Sequence, residues 1–454
     1  MTKKLLFLLT LLPVFLFAQH SIKGTFTPAD EFEFVFLYKV TPTTSIYVNN
    51  AEIDAEGKFE FKLDSTITKG MYRIVYAVPQ DEYNFDVIYN TREDVELTFN
   101  LEDGLTYVSS QENLLLDAYT KNLQLHSKNI NAFYASSNQN KKTFNSVFKV
   151  LSEAQNEFEK ASEGLIASHF IKASKPYIPS EIEDAKSYSK NIKTFYFKNI
   201  DFKNETLQSS SFLIETVLNY VFTFTNSEDM NNSYIANIDD AIKAIGENPI
   251  IKKTILKVLW TQFAEVETES VANYIADKYL FDIFKNNNKI IEKLSVFKNT
   301  SINKVAPDFP LEILKNEKPE LINLRNYEEA EHYIIVFWSS TCSHCLKELP
   351  RLQKYVNALE EGALKVIAVG LEDDIFSWKD RIEDLSSFIH VFGEGKWDNE
   401  IGNAYGVTAT PTYFILDKNK KIISKPYDFG ALKTYYQEHP VAAENKDIEN
   451  KGDD

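Results

Sequence analysis

Hydrophobic residues change their spacing twice along this chain, and the three patterns call for three architectures. From residue 20 to about 101 they alternate with polar residues, as in Phe59 and Phe61 or Tyr72, Ile74 and Tyr76, the period of strands with one buried face. Phe32, Phe34 and Phe36 read as a further such face. Asp54-Ala55-Glu56-Gly57 supplies polar turn chemistry with a glycine for positive φ. A small antiparallel β-sandwich is expected over 19–109. From about Ser110 the apolar residues take helical spacing, as in Phe144, Phe148, Leu151 and Phe158, with breaks at Pro176, Pro179 and Pro249. This predicts an α-helical region over 110–300, in which the aromatic residues of Asn199-Ile200-Asp201-Phe202 and Tyr220-Val221-Phe222 are read as core, with a groove lining as the alternative.

The third pattern starts near Lys304, after the polar residues Asn299, Thr300, Ser301 and Asn303, which mark a linker. A fully apolar strand over 334–338 is followed by a helix over 342–359, a strand over 364–369 and a helix over 375–385. Strands near 388–392, 412–416 and 421–424 and a helix near 400–405 complete it. Alternating strands and helices predict a mixed sheet covered on both faces, an α/β fold over 301–440. The acidic residues 441–454 read as a disordered tail. A multidomain chain fits 454 residues.

The chain begins with Lys3 and Lys4, the apolar run from Leu5 to Phe17, and Ala18, which predicts a cleaved secretory signal peptide over 1–18. No cysteine follows that run, so a lipoprotein is not expected. No later stretch is apolar enough for a membrane span. A formal charge of -17 without basic clusters argues against a nucleic-acid partner.

Only two cysteines occur, in Cys342-Ser343-His344-Cys345, so no disulfide framework is possible. Closed zinc coordination needs four ligands, and neither a second CxxC nor a His pair at ligand spacing is present. Thiol–disulfide exchange needs less: one accessible thiolate and a second thiol close enough to resolve the mixed disulfide. A CxxC at a helix start supplies both. The helix N-terminus favours an anion at Cys342, with Ser340 and Thr341 as candidate caps, and Cys345 one turn on faces inward.

The segment Phe337-Trp338-Ser339-Ser340-Thr341-Cys342-Ser343-His344-Cys345-Leu346-Lys347-Glu348-Leu349-Pro350 resembles the thioredoxin superfamily, in particular its TlpA/ResA-like extracytoplasmic branch. Ala306-Pro307-Asp308-Phe309, Pro350 and Thr410-Pro411-Thr412 carry the resemblance further, over about 304–439. The upstream regions look like the N-terminal extensions of Bacteroidetes-type members. The resemblance implies a thioredoxin-like fold with a cis Thr410–Pro411 bond beside the cysteines. It implies a periplasmic oxidoreductase in which Cys342 is the nucleophile and Cys345 resolves.

Departures from cytoplasmic thioredoxin are informative. Val336 stands where that protein has a buried aspartate, and Glu348, three residues after Cys345, matches the glutamate of ResA-like proteins. On a helix, positions i and i+3 share a face, so Glu348 is a candidate proton exchanger. His344 precedes the second cysteine as in DsbA-type sites, where a donor stabilises the nucleophile's thiolate. Trp338, Thr410 and Pro411 are candidate substrate-positioning residues. The reading implies no metal or organic cofactor, protein thiols and disulfides as substrates, and a membrane thiol-transfer protein as electron donor or acceptor. Two alternatives stand beside it. Ser339-x-x-Cys342 resembles the Thr-x-x-Cys loop of peroxiredoxins, and the N-terminal half could be an envelope binding module with the redox domain as accessory.

Overall fold

The computed structural model describes residues 20–441 except 43, 81, 138, 266–267 and 316–317. The signal segment 1–18 and all of the expected tail after Val441 lie outside the described residues. The chain divides into two compact units, one extending to Leu259 and one starting at Trp260, and the division falls inside a helix.

The first unit opens with strands β1 (Ser21–Thr27), β2 (Phe34–Val40), β3 (Ser45–Glu52), β4 (Lys58–Lys62), β5 (Gly70–Val75), β6 (Asn84–Tyr89), β7 (Val95–Asn100) and β8 (Gly104–Ser109). They form two four-stranded sheets, β4-β1-β7-β8 and β3-β2-β5-β6, whose inner faces share one core. Pairing is antiparallel except between β1 and β7, which are parallel. Gly57, at φ 81°, turns the chain into β4, and its carbonyl accepts a hydrogen bond from Phe26 N–H at 2.8 Å. Phe59, Phe61, Tyr72 and Ile74 face the core as expected. Phe34 and Phe36 do not: they are exposed, while Val35 and Leu37 are buried. Phe32 is buried but precedes the strand, behind a 3-10 turn, so its parity is not carried into β2.

Helices follow: α1 (Gln111–Ala135), α2 (Lys141–Ala161), α3 (Ala167–Ala173), α4 (Ala185–Phe195), α5 (Glu205–Gln208), α6 (Phe212–Thr223), α7 (Met230–Ile245) and α8 (Pro249–Glu265). Pro176 and Pro179 lie in the non-helical stretch before α4, and Pro249 takes the first position of α8, where its missing N–H costs no hydrogen bond. Phe202 and Tyr220 are buried, while Phe222 is half-buried. Asn113 joins α1 to the sandwich by exchanging two hydrogen bonds of 2.8 Å with the backbone of Ile88 in β6.

In the second unit, α9 (Glu269–Ile275) passes through a π-helical turn into α10 (Phe281–Ile283), followed by α11 (Asn288–Asn299). Buried Glu269 anchors these helices to the next segment, accepting from Ile302 N–H at 2.6 Å and pairing with Lys425. A hairpin of β9 (Pro310–Lys315) and β10 (Lys318–Asn323) comes next. The main sheet contains β11 (His332–Trp338), β12 (Leu364–Glu372), β13 (Ile389–Glu394), β14 (Thr412–Asp417) and β15 (Ile422–Ser424) in the order β13-β12-β11-β14-β15. β11, β12 and β13 are parallel, and β14 runs antiparallel to both neighbours.

Alternate residues of β11 feed two cores. Ile334, Val336 and Trp338 pack under α12 (Ser343–Val356), α13 (Ile375–Ile382) and α15 (Phe429–Glu438). Tyr333, Ile335 and Phe337 pack on the opposite face with Phe309, Leu324 and Tyr405, the last just after α14 (Glu400–Ala404). Each fully buried apolar side chain contributes roughly 1.5–3 kcal/mol, so a strand apolar on both faces belongs in the middle of a covered sheet. The mixed α/β fold behind a β-rich and a helical region is thus the expected one. No described helix is long and apolar enough to cross a membrane.

Candidate active site

β11 ends at Trp338, and residues 339–341 turn the chain into α12. The expected caps, Ser340 and Thr341, do not cap this helix. Cys342 itself is the N-cap, and its Sγ accepts a hydrogen bond from the Cys345 N–H at 3.2 Å. The reason is local: Cys342 has extended backbone angles and its N–H already donates to Ser339 O at 3.0 Å, which leaves its side chain over the open end of the helix. A sulfur placed there meets the unpaired N–H groups and the positive end of the helix dipole, both of which favour its thiolate.

Cys342 and Cys345 form a disulfide with Cα atoms 5.3 Å apart. Their exposure differs: Cys342 is half-buried, whereas Cys345 is fully buried in the core cluster that contains Trp338 and Leu349. Cys342 Sγ lies 3.3 Å from the carbonyl oxygen of Thr410, and the Thr410–Pro411 bond is cis. The site therefore joins the start of α12 to the chain just before β14.

Glu348 lies one turn beyond Cys345 and is half-buried. Its carboxylate accepts from the Tyr413 hydroxyl at 2.8 Å and from the Phe429 N–H at 3.1 Å. Tyr413 is buried on β14, and burial, reinforced by the hydrogen bond to Glu348, pushes its hydroxyl pKa well up. Val336 is buried in the same cluster as Cys345, so β11 offers no acid there. His344 is exposed on the first turn. Trp338 is fully buried, so any positioning it does acts through its packing in the cluster that holds Cys345.

Two site residues escaped the sequence reading. Tyr413 follows Thr412 in a strand whose period-2 alternation sets residues 413 and 415 on the face under α12, a signal that was available. Glu372 ends β12 and is 4% exposed; its carboxylate accepts from the Ser340 N–H and, at 3.4 Å, from the Ser339 hydroxyl. In sequence it is the first of the acidic run Glu372-Asp373-Asp374, which looks like solvated charge. Among the described residues no group of His, Cys, Asp or Glu is placed to hold a metal ion.

Residues 302–425 match the model of the AhpC/TSA family. Over 126 residues the chain is 28% identical to the thiol-disulfide oxidoreductase ResA of Bacillus thuringiensis, covering 27% of this chain and 68% of that protein. Among solved structures, a thiol-disulfide oxidoreductase from Bacteroides fragilis is 25% identical, with 30% of this chain and 99% of that one covered and a TM-score of 0.26. A thioredoxin-like protein from Bacteroides caccae is 16% identical and covers 58% of this chain and 97% of its own, with a TM-score of 0.31. The redoxin-family match over residues 302–425, the ResA relatives and the α/β unit carrying the cysteine pair agree in supporting a TlpA/ResA-like protein of the thioredoxin superfamily, a thiol–disulfide oxidoreductase.

Proposed function

We propose that this protein is exported to the periplasm and exchanges dithiol for disulfide with protein substrates through Cys342 and Cys345. The observation that carries the assignment is the asymmetry of the pair, a half-buried sulfur capping a helix and a fully buried one behind it. In the reducing direction the Cys342 thiolate attacks a substrate disulfide, forming a Cys342–substrate bond and releasing one substrate thiolate. Cys345, giving its proton to Glu348, then attacks the Cys342 sulfur, forming the Cys342–Cys345 disulfide and releasing the second thiolate. Two electrons pass to the substrate. The oxidising direction is the reverse of these steps.

Thr410 and Pro411 border Cys342, and their backbone is suited to receive the partner as an added strand. His344 raises the oxidising power by favouring the thiolate, and Trp338 supports Cys345 from below. The exchange requires no metal or organic cofactor, and a membrane thiol-transfer protein serves as electron donor or acceptor. The lysine-led apolar start with Ala18 supports export through a cleaved signal peptide. The oxidoreductase fold is taken as residues 301–440.

The test is to mix the reduced protein with a model disulfide. Substrate thiols should appear in step with Cys342–Cys345 disulfide, and Cys342→Ser should be inert. Peroxide consumption without disulfide reduction would favour the peroxidase reading instead.

A further inference from the structure

β12 is buried along nearly its whole length, and Glu372 ends it with a carboxylate that stays below the surface. A carboxylate at that depth needs hydrogen-bond donors. They come from the turn of residues 339–341, through the Ser340 N–H and the Ser339 hydroxyl. Ser339 in turn lies 3.0 Å, oxygen to oxygen, from the Thr341 hydroxyl and accepts from the Cys342 N–H at its carbonyl. Ser339 thus links Glu372 to Cys342, bonded to the one through its hydroxyl and to the other through its carbonyl.

We propose that Glu372 is a positioning residue for the cysteine pair, fixing the turn that aims Cys342 and setting a negative charge beside its thiolate. This rests on the reading of Cys342 as nucleophile. The two electrostatic influences on the sulfur are then opposed. The start of α12 stabilises the thiolate, and the Glu372 carboxylate destabilises it. The balance keeps the thiol from being ionised as fully as the helix alone would make it, which limits how oxidising the disulfide becomes.

The other charged or titratable groups on the elements that carry the pair or pack in its cluster are His344, Lys347, Glu348 and Arg351 on α12, Tyr413 on β14, Asp428 at the start of α15, and Asp373 and Asp374 between β12 and α13. Glu348 is engaged by Tyr413 and Phe429, while Asp374 and Asp428 cap α13 and α15. Among the described residues, Glu372 is the one carboxylate hydrogen-bonded to the 339–341 turn.

Glu372→Gln separates charge from geometry, because the carboxamide oxygen still accepts the Ser340 N–H. The experiment is the pH dependence of Cys342 alkylation in the full reduced chain, with melting temperature measured alongside. In the Gln variant the midpoint should fall by about one pH unit. Well below the midpoint the alkylation rate should rise about threefold, since tenfold more thiolate is partly offset by lower intrinsic nucleophilicity. Glu372→Asp, which keeps the charge, should hold the parental midpoint. A Gln variant that melts like the parent with an unmoved midpoint would overturn the proposal. So would an Asp variant shifted downward by a full unit, should the Gln variant not fold. If Cys342 in the parent alkylates no faster than Cys345, it is the nucleophile assignment that fails, and the parent alone reveals it.

Discussion

Tyr413 donates its hydroxyl to Glu348 across 2.8 Å, and this single bond ties the helix that carries the two cysteines to the strand that follows the cis proline. The same carboxylate accepts the Phe429 N–H, so three elements converge on a side chain one turn from Cys345. Glu348→Gln keeps the shape but cannot take a proton. Exchange should slow by about 100-fold with a changed pH profile, because a positioned acid/base supplies at least that factor. Stopped-flow exchange with a model disulfide checks it, and a parental rate and profile would reduce Glu348 to a structural acceptor.

The two cysteines should react unequally. In the reduced protein Cys342 should alkylate at least tenfold faster than Cys345, because thiolate reactivity requires exposure and Cys345 is fully buried. Cys345→Ser should trap a mixed disulfide on Cys342, visible by mass. Trapping only in Cys342→Ser would reverse the assignment.

His344→Pro should make the disulfide harder to reduce, moving the glutathione equilibrium by about tenfold, close to 30 mV for a two-electron couple. Titration of both forms against glutathione reads this directly. His344 is exposed in the first turn of α12, where proline's missing N–H breaks no intrahelical bond, and an unmoved midpoint would leave it a bystander.

A fragment from Ser301 should fold and reduce a model disulfide, and one from Trp260 should do so with a higher melting temperature. The difference comes from Glu269: removing it leaves the Ile302 N–H and Lys425 without their partner, a loss of about 1–3 kcal/mol. Calorimetry of the two fragments measures it. Equal melting temperatures would mean that α9, α10 and α11 contribute nothing to the fold.

Burial pushes the imidazoles of His390 and His332 below their ordinary value, for His390 against the opposing effect of its hydrogen bond to Leu385 O. Below about pH 6.5 the unfolded chain therefore takes up protons that the folded chain refuses, and stability falls as the pH drops through that range. Urea midpoints between about pH 7.5 and pH 5.5 should decline. His390→Gln should flatten the decline, and an unchanged slope in that variant would count against burial of His390 as its cause.

What the sequence disclosed followed the strength of its periodicities. The doubly buried β11 announced itself because every residue from Ile334 to Trp338 is apolar, and the CxxC beyond it could only start a helix. The β9–β10 hairpin went unseen because Leu314 and Leu321 are exposed and its alternation is shallow. α15 was missed for shortness: Phe429, Leu432 and Tyr436 are its only fully covered positions. The inverted face of Phe34 and Phe36 shows that counting by twos fails across a bend. Glu372 was hidden because burial of an acid depends on donors supplied by a turn more than thirty residues earlier, and no local pattern records that.

The Cys342 sulfur, which is the proposed nucleophile, is also the acceptor that closes the first turn of α12, so the proposed chemistry and the helix end share one atom. A thiolate accepts the Cys345 N–H more strongly than a disulfide sulfur does. Reduction therefore strengthens the hydrogen bond that closes the first turn of α12, and oxidation weakens it.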